Sequence, residues 1–240
     1  MTKILFIIDK IELKYFEFNN LVTNFWMIKE FLERGNEVFI TTIPNLSLKQ
    51  DRAYTKCYET FVSENNIFYK DVKFEKEIDE FDLVMFRPDP PVDIDYINAT
   101  YIFDFVTKPC VINSPSAIRD FNEKLHSVHF KELMTDNIVT ASLDEIEKFL
   151  AIHKQIVLKP LNRCFGSGVM YLYEGDPNTR TIINTMTNNE TTLVMVQQFI
   201  PAVKQGDKRV LTLGDKVLKY CIKKLPTNDD FKFNTHNDNF

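Results

Sequence analysis

Two lysines in the second half of the chain stand in settings that suit phosphate binding. Lys159 follows the apolar run of residues 156–158, and an ammonium at the carboxyl end of a buried strand faces the crevice where α/β proteins bind ligands. The loop behind it holds Gly166-Ser167-Gly168, whose backbone N–H groups can approach a phosphate. Asn122-Glu123-Lys124, in a short stretch expected to be helical, could bring a second ammonium to the same phosphates. A solvated strand-end lysine and a charged helix face explain the same residues, and neither segment is a P-loop.

A stiff segment in the first half also follows a predicted strand. Arg87-Pro88-Asp89-Pro90-Pro91 carries three prolines, which fix φ and remove backbone donors, so the segment cannot continue a sheet. An arginine and an aspartate held on such a loop suit recognition of a carboxylate or a zwitterion. A proline-rich turn with a local ion pair is the alternative, and the sequence leaves both open.

Two further segments suit a nucleoside. Gln198-Phe199-Ile200-Pro201 ends a strand in a proline-stopped turn, which could present backbone groups to an adenine edge. Asp207 could accept hydrogen bonds from ribose hydroxyls, and Arg209 could face phosphate. A charged strand start is the common alternative for these last two residues.

Metal and thiol chemistry receive little support. His126 and His129 have an i, i+3 spacing that can share a metal ion, but no third ligand is nearby, so we predict no metal site from them. The four cysteines have neither zinc spacing nor a partner pattern for a nucleophile, and scattered thiols are typical of a reducing cytosol.

The elements that must position these residues begin with a predicted βαβ unit. Residues 4–8 form a continuous apolar run, residues 20–34 repeat apolar side chains at helical spacing before Gly35, and residues 38–43 form a second strand. Further strands are predicted at 83–86 and around 111–112, with a helix at 96–106 between them, whereas residues 45–80 show no clear pattern. Roughly the first 113 residues therefore predict an open, Rossmann-like parallel sheet with helices on its faces.

The second half predicts an α+β domain. A helix at 143–152 opens at Ser142, with Glu145 placed to complete a capping box, and another helix is expected at 179–187. Strands are expected at 156–159, 169–173 and 193–199, and strands 209–213 and 216–222 read as a hairpin around Gly214. We place the domain boundary between residues 118 and 119, and residues 227–240 carry no secondary-structure signal.

Composition narrows the class of protein. The 240 residues include 29 basic and 34 acidic side chains, giving a net charge of −5, which lacks the electrostatic footprint of a general nucleic-acid binder. The apolar run at 4–8 is too short for a signal-peptide core or a membrane span. We therefore expect a soluble cytoplasmic protein without nucleic-acid or membrane partners.

The order of these motifs resembles the bacterial glutathione synthetase family of the ATP-grasp superfamily, over nearly the whole chain. The segments that carry the resemblance are Arg87-Pro88-Asp89-Pro90-Pro91, Ile112-Asn113-Ser114-Pro115, Arg119-Asp120-Phe121-Asn122-Glu123-Lys124-Leu125, Ile156-Val157-Leu158-Lys159-Pro160-Leu161, Glu174-Gly175-Asp176-Pro177-Asn178 and Gly206-Asp207-Lys208-Arg209-Val210-Leu211. The first and third are fairly specific to this family, and the strand-lysine-proline element is general to ATP-grasp enzymes.

The resemblance implies an ATP-dependent ligase in which γ-glutamylcysteine is activated as an acyl phosphate and glycine's amine attacks it, giving glutathione. It assigns ATP phosphates to Lys124 and Lys159, adenine to Gln198, Phe199 and Ile200, ribose to Asp207, and the reacting phosphoryl group to Arg209. Arg87 and Asn113 would contact the dipeptide, and Mg²⁺ would bridge the phosphates. The family is typically tetrameric, so the resemblance leaves assembly into a homo-oligomer open.

Departures from the family pattern keep two alternatives open. The loop Asn162-Arg163-Cys164-Phe165-Gly166-Ser167-Gly168 is bulkier than the family's glycine-rich loop, and Lys232-Phe233-Asn234 stands where an arginine-glycine-asparagine element is expected. The carboxylates that ligate magnesium in the family are expected beyond residue 240, so the ATP-grasp domain reads as incomplete at its C-terminus. The alternatives are a nucleotide-binding module with impaired catalysis and an ATP-grasp ligase for another acid.

Overall fold

The structure is a computed structural model that describes residues 1–9, 22–164 and 166–225. The chain divides into two compact units, Met1–Asn122 and Glu123–Phe240. The expected absence of regular structure at 227–240 falls outside the described residues, as do the first residues of the helix expected from residue 20. No helix in the described ranges is long and apolar enough to cross a membrane.

The first unit is built on one seven-stranded sheet. Its elements are β1 (Lys3–Ile8), α1 (Thr23–Glu33), β2 (Glu37–Thr42), β3 (Leu46–Lys49), β4 (Arg52–Ser63), β5 (Asn66–Glu77), β6 (Leu83–Phe86), α2 (Ile94–Ile102), β7 (Cys110–Ile112) and α3 (Pro115–Asp120). The strand order is β3-β4-β2-β1-β6-β7, with β5 paired to β4. Strands β2 and β6 flank β1 in parallel, and β7 runs parallel to β6, which confirms the predicted parallel sheet.

The central strand β1 is apolar along its length because both faces of the sheet are covered. Leu5 and Ile7 pack with Phe86 and Phe103 on one side. On the other side Phe6 packs into a cluster that includes residues of α1. A strand buried on both faces loses the alternation of apolar and polar residues, which is why β1 reads as one continuous run.

Residues 45–80, which show no clear pattern in the sequence, form the antiparallel part of the sheet. Strands β4 and β5 are each 12 residues long and pair with each other, while β4 also pairs with β2 and β3. Most side chains of β5 are exposed or half-buried, and they form cross-strand ion pairs such as Lys70–Glu59. A strand of this kind carries charges on both faces, so periodicity does not identify it.

Two helix ends in the first unit follow capping chemistry. Gly35, with φ of +78°, donates its N–H to Leu32 O and ends α1 where the sequence predicts. Asp93 begins α2 by accepting the Tyr96 N–H at 2.9 Å. The predicted helix at 96–106 is α-helical only to Ile102 and continues as a 3₁₀ turn over Phe103–Phe105.

The second unit holds a four-stranded antiparallel sheet and a separate hairpin. Its elements are a 3₁₀ helix (His126–Leu133), β8 (Asn137–Thr140), α4 (Leu143–His153), β9 (Gln155–Pro160), β10 (Met170–Tyr173), α5 (Thr179–Met186), β11 (Val194–Gln198), a 3₁₀ helix (Pro201–Gln205), β12 (Asp207–Leu213) and β13 (Lys216–Lys224). The sheet order is β10-β9-β11-β8, and β12 pairs with β13. This arrangement confirms the expected α+β domain and its hairpin.

One face of this sheet forms the core of the unit. Ile156 and Leu158 of β9 pack with Phe149 of α4, Ile183 of α5 and Val196 of β11. Because side chains alternate along a strand, the residues between them, and Lys159 after them, point to the opposite face. That opposite face carries the candidate nucleotide site.

The start of α4 differs from the predicted capping box. Ser142 Oγ accepts the Glu145 N–H as expected. The Ser142 N–H, however, donates to Thr140 Oγ1 at 3.1 Å, and the Thr140 hydroxyl donates to the Glu145 carboxylate. The predicted direct bond from the Ser142 N–H to the Glu145 carboxylate is therefore wrong, because the Thr140 hydroxyl lies between the two groups, accepting from the first and donating to the second.

Candidate active site

Lys159 places a half-buried ammonium on the open face of the second unit's sheet. In the β9–β11 ladder Lys159 pairs with Met195, so Gln197, two residues along, is its diagonal neighbour on the same face. Lys159 Nζ donates to Gln197 Oε1 at 2.6 Å. Among the described residues Lys159 forms no ion pair, so a neutral carboxamide is its nearest acceptor and the charge is not neutralised.

The surroundings of Lys159 disfavour its charged form. Burial is the main cause that holds the pKa of the Lys159 ammonium below its ordinary value, and repulsion from the Lys124 ammonium adds to it. A buried cation without an anionic neighbour binds an anionic ligand well, because the ligand supplies the missing counter-charge.

Lys124 stands in a turn between α3 and the 3₁₀ helix His126–Leu133. The expected helical stretch around residues 122–124 is therefore wrong, since α3 ends at Asp120. The Lys124 ammonium donates to the Arg163 carbonyl oxygen and lies 3.9 Å from the Glu123 carboxylate. Because the Lys124 charge contributes to the lowered pKa of Lys159, the two ammonium groups lie within electrostatic range of each other.

A cavity of about 430 Å³ opens beside Lys159, within the size range of small-molecule sites. Its lining residues are Val157, Lys159, Gly166, Val169, Gln197, Gln198, Phe199, Ile200, Ala202, Val203, Gly206 and Asp207. The wall is mostly apolar, with polar groups at Lys159, Gln197, Gln198 and Asp207. A flat apolar ring with polar edges, attached to an anionic tail, matches this distribution.

The end of β11 forms one wall of the cavity. The Gln198 and Phe199 N–H groups donate to Asp136 O, just before β8, and to Gln155 O of β9, at 2.9 and 3.0 Å, so both donors are already paired. The Ile200 N–H donates to no residue in the described parts of the chain. Phe199 packs edge-to-face against Tyr171, with 4.8 Å between ring centroids, which holds its ring at the cavity wall. Ile200 is therefore the position where this segment can donate to an adenine edge.

Two backbone N–H groups of the loop after β9 are already hydrogen-bonded to carbonyl oxygens of the same loop. The Ser167 N–H donates to Cys164 O at 2.9 Å, and the Val169 N–H donates to Gly166 O at 3.2 Å. Gly168 has φ of +71°, and a Cβ there would lie 3.0 Å from Pro160 Cγ. Gly166 lines the cavity, whereas Ser167 and Gly168 are not among its lining residues. Phosphate binding by the Ser167 N–H would require this turn to open.

Asp207 and Arg209 both belong to β12 but differ in position. Asp207 lines the cavity. Arg209 is exposed, lies opposite Ile222 in the hairpin and is not a lining residue. Gly206, with φ of +100°, precedes them, and a Cβ there would lie 2.4 Å from Lys224 O. Only glycine can hold this close approach, which sets where Asp207 begins the strand.

A second group of polar residues lies at the carboxyl ends of the first unit's parallel strands. Arg87 follows β6 and donates from Nε to Asn24 Oδ1 at 3.1 Å. Asn113 follows β7 and donates from Nδ2 to Phe86 O at 3.2 Å. The carboxyl ends of parallel strands are where open α/β sheets bind ligands. Arg87 forms no ion pair with any described residue, so the alternative of a local ion pair with Asp89 is wrong.

Sequence reasoning missed Asp9, which follows β1 at the same sheet edge. Its Oδ2 atom accepts the Asp89 N–H at 2.9 Å. Burial, partly offset by this bond, and the nearby negative charge of Asp89 raise the pKa of the Asp9 carboxyl above its ordinary value. Buried Tyr96 donates to Pro88 O at 3.2 Å, and burial with the charges of Asp9 and Asp89 raises its pKa to about 12. The only signal in the sequence was that Asp9 ends the apolar run of β1.

No metal centre forms within residues 1–9, 22–164 and 166–225, where no three His, Cys, Asp or Glu side chains come together. The His126 and His129 rings pack edge-to-face, 5.4 Å apart between centroids. None of the four cysteines forms a disulfide. The described residues thus do not fit a metal ion by themselves.

An α/β unit followed by an antiparallel α+β unit with a strand-end lysine is the fold of ATP-grasp ligases of known structure. Solved structures share this fold, including the D-cycloserine synthetase DcsG, with a TM-score of 0.61 and 15% identity over 93% of this chain and 68% of that one. A Chryseobacterium gregarium RiPP-associated ATP-grasp ligase in complex with ADP and a leader and core peptide aligns with a TM-score of 0.55 and 15% identity, over 97% of this chain and 72% of that one. Identities this low establish the fold alone.

Sequence comparison identifies the family. Residues 2–119 match the N-terminal domain of prokaryotic glutathione synthetase, and residues 123–239 match its ATP-grasp domain. The glutathione synthetase of Vibrio parahaemolyticus is 33% identical over 216 residues, which cover 88% of this chain and 68% of that protein. The chain belongs to the prokaryotic glutathione synthetase family.

Proposed function

We propose that this protein is an ATP-dependent carboxylate–amine ligase that joins γ-glutamylcysteine to glycine and forms glutathione. The observation that carries the proposal is the tandem match of both glutathione synthetase domains, over residues 2–119 and 123–239. The curated relative from Vibrio parahaemolyticus is a glutathione synthetase, and its identity extends across both units. No observation of comparable specificity supports either alternative, a nucleotide-binding module with impaired catalysis or an ATP-grasp ligase for another acid.

ATP occupies the cavity beside Lys159 in this proposal. Adenine lies against Phe199 and receives a hydrogen bond from the Ile200 N–H, Gln198 borders the base, and the ribose hydroxyls reach Asp207. The phosphates extend toward Lys159 and Lys124, whose charges they neutralise. The lowered pKa of Lys159 supports this assignment, because a bound phosphate would supply the anion that the site lacks.

The reaction proceeds in two steps. A carboxylate oxygen of the cysteinyl residue attacks the γ-phosphorus of ATP, the bond to the bridging oxygen breaks, and ADP leaves. The glycine amine then attacks the carbonyl carbon of the acyl phosphate, and inorganic phosphate leaves with the bonding pair while the amine loses a proton. Lys159, Lys124 and Arg209 would stabilise the negative charge on the transferring group, so positioning and electrostatics supply most of the catalysis.

The dipeptide is held by the first unit. Arg87 binds a carboxylate and Asn113 donates or accepts through its amide, which agrees with their place at the carboxyl ends of β6 and β7. ATP-grasp enzymes use ATP together with a divalent metal ion. The substrates are small molecules, and a homo-oligomer stays a prediction.

The test is an assay of ADP release coupled to chromatographic detection of glutathione. ADP release should require both γ-glutamylcysteine and glycine, and glutathione should appear in equal amount. Replacing γ-glutamylcysteine by D-alanine or by a glutamate-rich peptide should stop turnover. ADP release that follows another acid, or that proceeds without an amine, would contradict the proposal.

A further inference from the structure

Three charged residues lie at the carboxyl edge of the first unit's parallel sheet. Asp9 follows β1, Arg87 follows β6, and Asp89 lies two residues further along the stiff proline segment. The Asp89 N–H binds Asp9 Oδ2 at 2.9 Å, which ties the ends of the two strands together. The edge therefore presents both signs of charge, a guanidinium and a pair of carboxylates.

No other side chain in the described part of the chain neutralises these three charges. Among the described residues, neither Asp9, Asp89 nor Arg87 forms an ion pair. Arg87 uses Nε for Asn24, and its Nη1 and Nη2 groups donate to no described residue. Two such guanidinium donors in one plane match the two oxygens of a carboxylate.

Asp9 and Asp89 differ in how firmly they are held. Asp89 is exposed, whereas Asp9 is half-buried and oriented by the Asp89 N–H at one oxygen, so its other oxygen stays available to accept. A fixed, partly desolvated carboxylate interacts more strongly with a cation than an exposed one. Asp9 is therefore the better counter-charge for a ligand ammonium.

We propose that Asp9 binds the α-ammonium group of the γ-glutamyl residue while Arg87 binds its α-carboxylate. The inference rests on the proposed function, since γ-glutamylcysteine is the substrate that carries this zwitterion at the end remote from the reacting carboxylate. A carboxylate and a guanidinium at adjoining strand ends recognise an amino-acid head group as a pair. Asp9 thereby contributes specificity for an amino acid over a plain dicarboxylic acid.

The test compares γ-glutamylcysteine with glutarylcysteine, in which hydrogen replaces the α-amino group, on wild type and Asp9→Asn. Wild type should prefer γ-glutamylcysteine, and Asp9→Asn should raise its KM by about 10- to 100-fold, the range for a charged hydrogen bond. The KM for glutarylcysteine should change less than about twofold, because that analogue has no ammonium to lose. Asp71→Asn, an exposed carboxylate on β5, is the control and should change neither value.

An equal loss for both substrates in Asp9→Asn would show a structural role and overturn the proposal. The proposal would also be overturned if Asp89→Asn selectively raised the KM for γ-glutamylcysteine and Asp9→Asn did not. Calorimetric titration of the two dipeptides separates this inference from the proposed function, because it needs no turnover. Absence of glutathione formation refutes the proposed function, whereas equal binding of both dipeptides by wild type refutes the role of Asp9.

Discussion

Lys159 Nζ and Gln197 Oε1 lie 2.6 Å apart across the β9–β11 ladder. A neutral amide oxygen satisfies one ammonium hydrogen without cancelling the charge. The cation is thus held in position at the cavity wall and keeps its electrostatic attraction for a phosphate.

Replacing Lys159 by Met should abolish ATP binding, with an increase in Kd of about 100-fold or more, because the phosphate loses its buried counter-charge. The stability of the fold should change by less than about 1 kcal/mol, since a partly desolvated charge is removed and the apolar stem is kept. Calorimetric titration with ATP and thermal unfolding measure the two effects. Lys148→Met, at an exposed position on α4, is the matched control. Wild-type ATP affinity in Lys159→Met would refute the site.

Gln197→Glu should weaken ATP binding by about 10-fold or more, because the new carboxylate pairs with Lys159 and repels the phosphates. The same pairing should raise the pKa of Lys159 back toward its ordinary value. Nucleotide titration at neutral pH tests this. Glu59→Gln on β4, a change of charge in the other unit, is the control. Tighter ATP binding in Gln197→Glu would count against the role given to Lys159.

Asp9→Asn should raise the thermal midpoint of the protein at neutral pH. The folded-state pKa of Asp9 lies above its unfolded value, so the folded state binds the proton more tightly and the ionised carboxylate destabilises it. The unfavourable contribution is absent below the ordinary aspartate range and complete above the raised folded-state pKa. Unfolding measured from acidic to neutral pH should therefore show a difference between the proteins that grows with pH. A difference that shrinks as the pH rises would contradict the assigned shift.

Gly206→Ala should destabilise the hairpin by about 1–3 kcal/mol and weaken ATP binding, because φ of +100° and a Cβ 2.4 Å from Lys224 O force the backbone to move. Asp207 would be displaced with it. Gly214→Ala is the control, since Gly214 has φ of +61° and an added Cβ there would meet nothing within 4 Å. Gly214→Ala should lower the free energy of unfolding by about 1 kcal/mol and leave ATP affinity unchanged. Equal effects of the two variants on ATP affinity would argue that Gly206 does not position Asp207.

Local sequence determined the elements that carry the clearest physical signals. The run at residues 4–8 predicted β1 because burial on both faces demands continuous apolar residues. Ser142 predicted the start of α4 because its hydroxyl replaces a missing helical acceptor. The hairpin followed from Gly214, which supplies the positive φ that the turn needs. The order of motifs, including Lys159 at its strand end, was sufficient to predict the family.

Only the tertiary structure decided which polar groups meet. Asp9 is one of 34 acidic residues in the sequence, and it joins Asp89, 80 positions away, because β1 and β6 are parallel neighbours. Gln197 reaches Lys159, 38 positions away, because the register of β9 and β11 places them on one face. The strands within residues 45–80 likewise depend on pairing with one another, since their sequence shows no clear periodicity. Long-range pairing depends on which distant strands become neighbours in the sheet, and the local pattern of residues along one strand does not specify its neighbours.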